Sequence, residues 1–126
     1  MTERELLQRT KQFALRIFKL VGALPQTIQG RAVAAQLIRS GTSVAANYRA
    51  ACRARSKAEF VAKLGIVEEE ADETAFWLEL IIETSLLSLT KVKPLLTEAS
   101  EIVTIMTSSK KTAAKSQIAN RKAQIR

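Results

Sequence analysis

Large apolar residues recur at steps of three, four or seven along most of the chain, which is the spacing of one face of an α-helix. The first such segment contains Leu6, Phe13, Ile17, Leu20 and Leu24. It predicts a helix over residues 3–24. Pro25 is expected to end this helix, because proline is excluded from helix interiors, and residues 25–30 then form the connection to the next segment.

A second periodic segment is built mostly from small residues and predicts a helix over residues 31–54. Its apolar positions are Val33, Leu37, Ile38, Gly41, Val44, Ala45, Tyr48 and Cys52. The run Ser-Gly-Thr-Ser at residues 40–43 does not interrupt this phase. Glycine inside a helix costs about 1 kcal/mol relative to alanine, so we expect another helix to pack closely against Gly41.

The pattern Ser56-x-x-Glu59 predicts that the third helix starts at residue 56. In such a capping box the serine accepts from a first-turn amide, and the glutamate accepts from the amide of the cap residue. The apolar positions that follow are Phe60, Leu64, Val67, Ala71, Ala75, Leu78, Ile82 and Leu86.

A second apolar stripe lies beside these positions and consists of Phe76, Trp77, Leu80 and Leu87. A helix of a monomeric bundle buries one face only, so the monomer core would not bury this second apolar stripe as well. We interpret the four residues, called the aromatic stripe below, as a subunit contact.

The last turn is predicted at residues 90–94, with Pro94 in the first turn of helix four, where amides lack intrahelical partners. The apolar positions of this helix are Val92, Leu95, Leu96, Ala99, Ile102, Val103 and Met106. The pattern fades after Met106. We therefore predict a bundle over residues 1–109 and a basic C-terminal extension over residues 110–126, which is either a helical continuation or a disordered tail.

Four apolar helical faces joined by short connections predict an all-α protein, an antiparallel up-down-up-down four-helix bundle. Its 126 residues include no histidine and only one cysteine, Cys52. Without histidine the chain cannot assemble a Ser-His-Asp triad or a histidine-based di-iron site, and one cysteine does not make a zinc site. No apolar run is long enough to span a membrane. We expect a cytoplasmic protein that is not an enzyme and needs no metal or cofactor.

The net charge of +8 is unevenly distributed along the chain. Residues 1–58 carry 11 basic and 2 acidic side chains, residues 59–101 carry 3 and 10, and residues 102–126 carry 6 and none. The acidic side chains of helix three are Glu68, Glu69, Glu70, Asp72, Glu73, Glu79 and Glu83.

Two interpretations of the basic residues remain open. In the first, a basic patch contacts phosphates of RNA or DNA and gains affinity by releasing counterions. Its members would be Arg49, Arg53, Arg55 and Lys57 at the junction of helices two and three, with Lys110, Lys111, Lys115, Arg121, Lys122 and Arg126 from the extension. In the second, these residues solvate the surface or pair with the acidic helix of a neighbouring subunit. Tyr48 is either a core residue or a platform on which a base stacks.

The stretch from Leu37 to Leu80 resembles the 23S rRNA intervening-sequence proteins, a bacterial family of four-helix bundles. The residues that carry the resemblance are Arg39, Ser40, Ser43, Ala46, Asn47, Arg55, Ser56, Glu59, Phe60, Glu70, Glu73 and Leu78. The resemblance implies an up-down bundle that assembles into a ring, commonly a pentamer. Related proteins include the accessory variability factor of diversity-generating retroelements, a basic ring that binds nucleic acid and a reverse transcriptase.

The sequence departs from the common family pattern directly after Asn47. Many members continue with Ile-Ala-Glu-Gly, whereas this chain has Tyr48, Arg49, Ala50 and Ala51. Positive charge therefore stands where the family often has negative charge. The leading hypothesis is a non-enzymatic homo-oligomer that binds RNA or DNA through basic helix faces and the extension. The alternative is a scaffold that binds only protein, either itself or a partner enzyme such as a reverse transcriptase.

Overall fold

The computed structural model describes residues 1–125, with the side chains of all of these except 117–121, 124 and 125. It contains the helices α1 (Glu3–Val21), α2 (Ile28–Cys52), α3 (Lys57–Glu83) and α4 (Leu89–Ile125), and the described residues form no strand. Consecutive helices pack against each other and α1 also packs against α4, whereas in the described chain the backbone of α1 does not approach that of α3, nor the backbone of α2 that of α4. The protein is therefore an all-α four-helix bundle with α1 and α3 at opposite corners.

The interior of the bundle is formed by the apolar faces that the sequence predicts. Each helix contributes fully buried large side chains, among them Phe13, Ile17, Leu37, Val44, Leu64, Val67, Leu78, Ile81, Val92, Ile102 and Met106. Some predicted positions are half-buried, among them Ile38, Phe60, Ile82, Leu86, Leu96 and Val103, and Ile81, which was not predicted, is fully buried near the end of α3. The four predicted faces are otherwise confirmed as the source of the core.

Gly41 lies at a point where α2 packs closely against α1. A Cβ atom built on Gly41 would lie 3.0 Å from both Cγ1 and Cγ2 of Ile17, which confirms the expected close packing of another helix. Next to it, the buried hydroxyl of Thr74 on α3 donates a hydrogen bond to Ser40 Oγ at 2.9 Å. Three helices therefore meet at one height in the bundle. We call the residues that meet there, Ile17, Ser40, Gly41 and Thr74, the Gly41 layer.

The connection between α1 and α2 begins earlier than predicted. α1 ends at Val21 and not at residue 24, because the amides of Ala23 and Leu24 bond to carbonyls three residues back and tighten the chain into a turn. α2 begins at Ile28, where Thr27 Oγ1 accepts from the Gly30 amide at 3.0 Å. A Cβ atom on Gly30 would overlap the carbonyl oxygen of Pro25, so this connection requires glycine there.

The predicted start of α3 is correct, but its capping box forms only in part. Ser56 Oγ accepts from the amide of Glu59 at 3.1 Å, as expected. The carboxylate of Glu59 accepts from the amide of Arg55, not from that of Ser56. A complete capping box occurs instead at α1, between Thr2 and Glu5, where the sequence analysis did not identify one.

The predicted last turn at residues 90–94 is wrong, because the chain turns at residues 84–88. The amides of Ser85 and Leu86 bond to the carbonyls of Ile82 and Ile81, and Ser85 adopts a left-handed conformation with φ 57°. This is the Schellman arrangement that ends many helices, here with serine in the position usually taken by glycine. α4 then begins at Leu89, so Pro94 is its sixth residue and not part of its first turn.

α1 and α4 are joined by an ion-pair network. Arg9 donates to both carboxylate oxygens of Glu98, from Nε at 2.8 Å and from Nη2 at 2.7 Å, and to Glu101 at 3.3 Å. These hydrogen bonds lower the pKa of Glu98, and the bond to Glu98 raises the pKa of Arg9. The two-point geometry fixes the level at which α1 meets α4.

Candidate functional site

The junction of α2 and α3 presents a concentrated basic surface. Arg49 lies in the last turn of α2, and Arg53 is the residue that caps the end of this helix. Together with Arg55 in the connection and Lys63 on α3 they line one groove, in which Glu59 is the acidic member. The three arginines are exposed. We call Arg49, Arg53, Arg55 and Lys63 the junction cluster; the structure thus brings three predicted residues together and adds a fourth.

Lys57, the remaining predicted junction residue, faces α4. Its Nζ donates to Ser116 Oγ at 2.8 Å, which places the C-terminal extension beside the junction. The extension continues α4 as a helix to Ile125, and its Ala113 is buried.

The predicted basic residues of the extension differ in their surroundings. Lys110 forms an ion pair with Glu68 at 3.1 Å and so serves the packing of α4 on α3. Lys111, Lys115 and Lys122 are exposed. The side chains of Arg121 and Arg126 lie outside the described residues.

Sequence reasoning missed two basic residues beside the junction. Lys63 lies two helical turns after Ser56, and Lys11 of α1 lines a second groove with Arg49 and Arg53. The spacing within α3 could have indicated Lys63. The position of Lys11 follows from how α1 packs on α2, which no local pattern reveals.

Tyr48 and Cys52 do not belong to the exposed basic surface. Tyr48 is only 4% exposed, and burial raises the pKa of its hydroxyl, so the core interpretation of this residue is confirmed. A ring buried in this way offers no face on which a base could stack. Cys52 is half-buried and packs against the core, and burial raises the pKa of its thiol, which keeps it protonated near neutral pH.

The aromatic stripe divides into an exposed part and a part that packs on the core. Phe76 is 51% exposed, and its ring meets that of Trp77 edge to face with centroids 5.1 Å apart. Trp77 and Leu87 are half-buried against the core, and Trp77 Nε1 donates to Glu73 Oε2 at 3.4 Å. Leu80 is half-buried. Trp77 therefore contributes to the monomer as well, whereas Phe76 offers the largest free apolar surface of the four.

Several residues that carry the family resemblance bond to each other across α2 and α3. Arg39 pairs with Glu70 at 3.0 Å and also with Glu73. Ser40 accepts the hydrogen bond of Thr74 in the Gly41 layer. These contacts hold α2 against α3. The family-typical residues Arg39, Ser40, Glu70 and Glu73 therefore stabilise the fold and do not form a site for a ligand.

The cysteine, aspartate and glutamate side chains of the described chain form no group of three or more that could hold a metal ion. None of the helices is long and apolar enough to cross a membrane, as judged over the same residues.

Comparison with known proteins identifies relatives by sequence and by structure. Curated proteins give no match. A crystal structure of a protein with unknown function from the S23 ribosomal protein family of Bacteroides thetaiotaomicron has a TM-score of 0.78 and 33% sequence identity to this chain, over 88% of this chain and 99% of that one. The sequence model of the 23S rRNA-intervening sequence proteins matches residues 2–108, which include α1, α2, α3 and most of the bundle part of α4. The chain therefore belongs to the 23S rRNA-intervening sequence protein family.

Proposed function

We propose that this protein is a cytoplasmic, non-enzymatic homo-oligomer that binds RNA or DNA through the junction cluster and the adjoining C-terminal extension. The observation that carries the proposal is the groove lined by Arg49, Arg53, Arg55 and Lys63, with only Glu59 opposing them. Side chains of one sign in a groove raise the local potential and attract phosphate groups.

The binding expected here depends on the nucleic-acid backbone and not on base sequence. Arginine donates two parallel hydrogen bonds to a phosphate, which favours the junction cluster as a phosphate-contacting surface. Tyr48 is buried, so the nearest tyrosine adds no stacking to bases. Affinity should therefore depend strongly on salt and weakly on sequence.

The helix order proposed for this function is antiparallel, up-down-up-down. Cross-helix contacts support it, since Lys57 bonds to Ser116 at the start of α3 whereas Glu68, further along α3, bonds to Lys110. In this order α2 ends and α3 begins where the extension of α4 lies. The basic residues of all three segments then share one end of the bundle.

Self-assembly into a ring is proposed from the exposed apolar surface of the aromatic stripe, and the family resemblance suggests a pentamer. An exposed aromatic side chain such as Phe76 beside acidic residues favours a protein partner over bulk water. The same surface supports the alternative function of a protein-binding scaffold that does not bind nucleic acid.

The test of nucleic-acid binding is a fluorescence-anisotropy titration with labelled RNA and DNA of mixed sequence. At about 50 and 200 mM salt, a protein that makes 6–10 phosphate contacts loses about three to five decades of affinity. We expect the double variant Arg49→Glu with Arg53→Glu to abolish binding. Replacing the exposed Lys111 and Lys115 by glutamine should lower the salt slope by about 0.7–0.9 per lost contact.

The matched control reverses Lys91 and Lys93 to glutamate, which changes the net charge by the same amount in the first turns of α4. Lys91 lines a groove with residues of α1 and none of the junction cluster. We expect this control to retain most of the affinity. Equal losses in both double variants would show that net charge alone matters. No binding at either salt would favour the scaffold.

A further inference from the structure

The outward face of α1 carries two exposed apolar side chains in a basic setting. Leu15 and Phe18 are 52% and 54% exposed and three residues apart, so they lie side by side on the helix. The exposed residues Lys11 and Lys19 flank them at helical spacing, and Arg4 continues the same face. We call these five residues the α1 face. The two acidic residues of α1, Glu3 and Glu5, lie in its first turn.

The outward face of α3 also carries one aromatic and one aliphatic side chain, surrounded by the opposite charge. Phe76 and Leu80 are four residues apart, with Asp72 and Glu69 before them and Glu83 after them. The three acidic side chains are exposed, and within the described residues they form no ion pair. We call these five residues the α3 face. Along each helix, the face thus begins and ends with charged residues and has two apolar residues between them.

Leu15 and Phe18 of the α1 face lie at nearly the same height in the bundle as Phe76 of the α3 face. Ile17 and Thr74 both belong to the Gly41 layer, Ile17 through its approach to Gly41 and Thr74 through its bond to Ser40. Leu15 and Phe18 are within two residues of Ile17, and Phe76 is two residues from Thr74. A rotation about an axis parallel to the helices would therefore bring Leu15 and Phe18 of one copy beside Phe76 of the next, with Leu80 about one turn further along α3.

We infer that the α1 face of one copy docks onto the α3 face of the next copy. The inference rests on the self-assembly proposed above and names the surface that Phe76 and Leu80 contact. α1 and α3 are at opposite corners of the bundle, and their backbones do not approach each other. The interface is therefore heterologous: each copy uses both faces with two different neighbours, so copies add head to tail, as in a ring, and do not pair as a two-fold dimer. Charge complementarity opposes contact between two identical faces.

Two variants that each lose one face provide the test. Phe18→Glu places an acid in the α1 face, and Phe76→Lys places a base in the α3 face. Light scattering coupled to size exclusion should give the chain mass of 13.9 kDa for each variant alone. Mixed in equal amounts, they should form a species larger than 13.9 kDa, because the intact α3 face of Phe18→Glu meets the intact α1 face of Phe76→Lys.

The control is Ile28→Glu, since Ile28 is 78% exposed but lies in the first turn of α2, outside both faces. It should keep the mass of the unmodified protein. Circular dichroism should show unchanged helix content in all variants. If Phe18→Glu unfolds, reversal of the exposed Lys11 and Lys19 to glutamate tests the α1 face instead, and should likewise give a monomer.

The possible outcomes separate the inference from the proposed assembly. If the unmodified protein is a monomer, the proposed assembly is wrong, and the docking falls with it. If the unmodified protein is an oligomer and Phe18→Glu retains the oligomer mass, the α1 face is not used and the docking alone is wrong. The docking is also wrong if two monomeric variants remain monomeric when mixed.

Discussion

Two helical glycines in different surroundings allow a direct test of the packing between α1 and α2. Replacing glycine by alanine inside a helix gains about 1 kcal/mol of helix stability. At Gly65 the new methyl group would meet only Lys110 Cδ at 4.0 Å, which is ordinary contact with a flexible side chain. We therefore expect Gly65→Ala to raise the free energy of unfolding by about 1 kcal/mol.

At Gly41 the same methyl group would lie 3.0 Å from both Cγ1 and Cγ2 of Ile17 and 3.2 Å from its Cβ. Ile17 cannot relieve this by rotating about χ1, because both of its branches and its Cβ are involved and it is fully buried. Overpacking of this kind costs about 1–3 kcal/mol, which outweighs the helix gain or cancels it. Gly41→Ala should thus leave stability unchanged or lower it by up to about 2 kcal/mol.

The measurement is urea unfolding of both variants at one protein concentration, since assembly makes stability depend on concentration. A double-mutant cycle with Ile17→Ala isolates the contact, because that change removes Cγ1 and Cγ2. In this background Gly41→Ala should recover the helix gain, which gives a coupling energy of about 1–3 kcal/mol. If Gly41→Ala stabilises the unmodified protein as much as Gly65→Ala does, α1 and α2 do not approach as described.

Three further variants test the ends of the helices and the link between α1 and α4. Gly30→Ala should lower the free energy of unfolding by about 1–3 kcal/mol in urea titrations, since the methyl group would overlap the carbonyl of Pro25. Ser85→Gly should raise it by about 1 kcal/mol in the same assay, because the left-handed conformation at φ 57° suits glycine. Glu98→Gln should lower it by about 1–2 kcal/mol at pH 7. Arg9 lowers the pKa of folded Glu98, so this contribution is complete above the unfolded value of about 4.3 and is lost as the pH falls through the lower folded pKa. Unfolding curves of Glu98→Gln and the unmodified protein should therefore converge in acid, and a constant difference would contradict the pairing.

Periodicity predicted the helices well because burial of one face repeats along each helix. The same signal locates helix ends poorly, since ends depend on single hydrogen bonds. The turn before α4 illustrates this: Pro94 suggested a turn at residues 90–94, whereas the chain turns where Ser85 adopts a left-handed conformation. Serine at that position is not a strong turn signal. Pro94 lies in the second turn of α4 and does not mark the turn between the helices.

The basic cluster could be predicted in part because Arg49, Arg53 and Arg55 are close in sequence. The sequence could not show which charged side chains form ion pairs within the chain. Lys110 was assigned to the nucleic-acid surface, yet it pairs with Glu68 at 3.1 Å. Lys63, which was not assigned, lines the groove. Pairing between helices depends on their packing and register, and these are tertiary properties.

Pairing within the chain also explains why the net charge is a poor guide to the surfaces of this protein. Arg9 and Arg39 are occupied by carboxylates of α4 and α3, and these pairs hold the bundle together. The exposed basic residues that form no ion pair in the described chain include three of the junction cluster and three of the α1 face, and the α3 face carries three such acidic residues. A surface rich in arginine and poor in apolar side chains suits phosphate groups, whereas charged faces with exposed apolar pairs suit a second copy of the chain. Because the junction cluster shares no residue with the α1 and α3 faces, we expect substitutions in one kind of surface to leave the function proposed for the other intact.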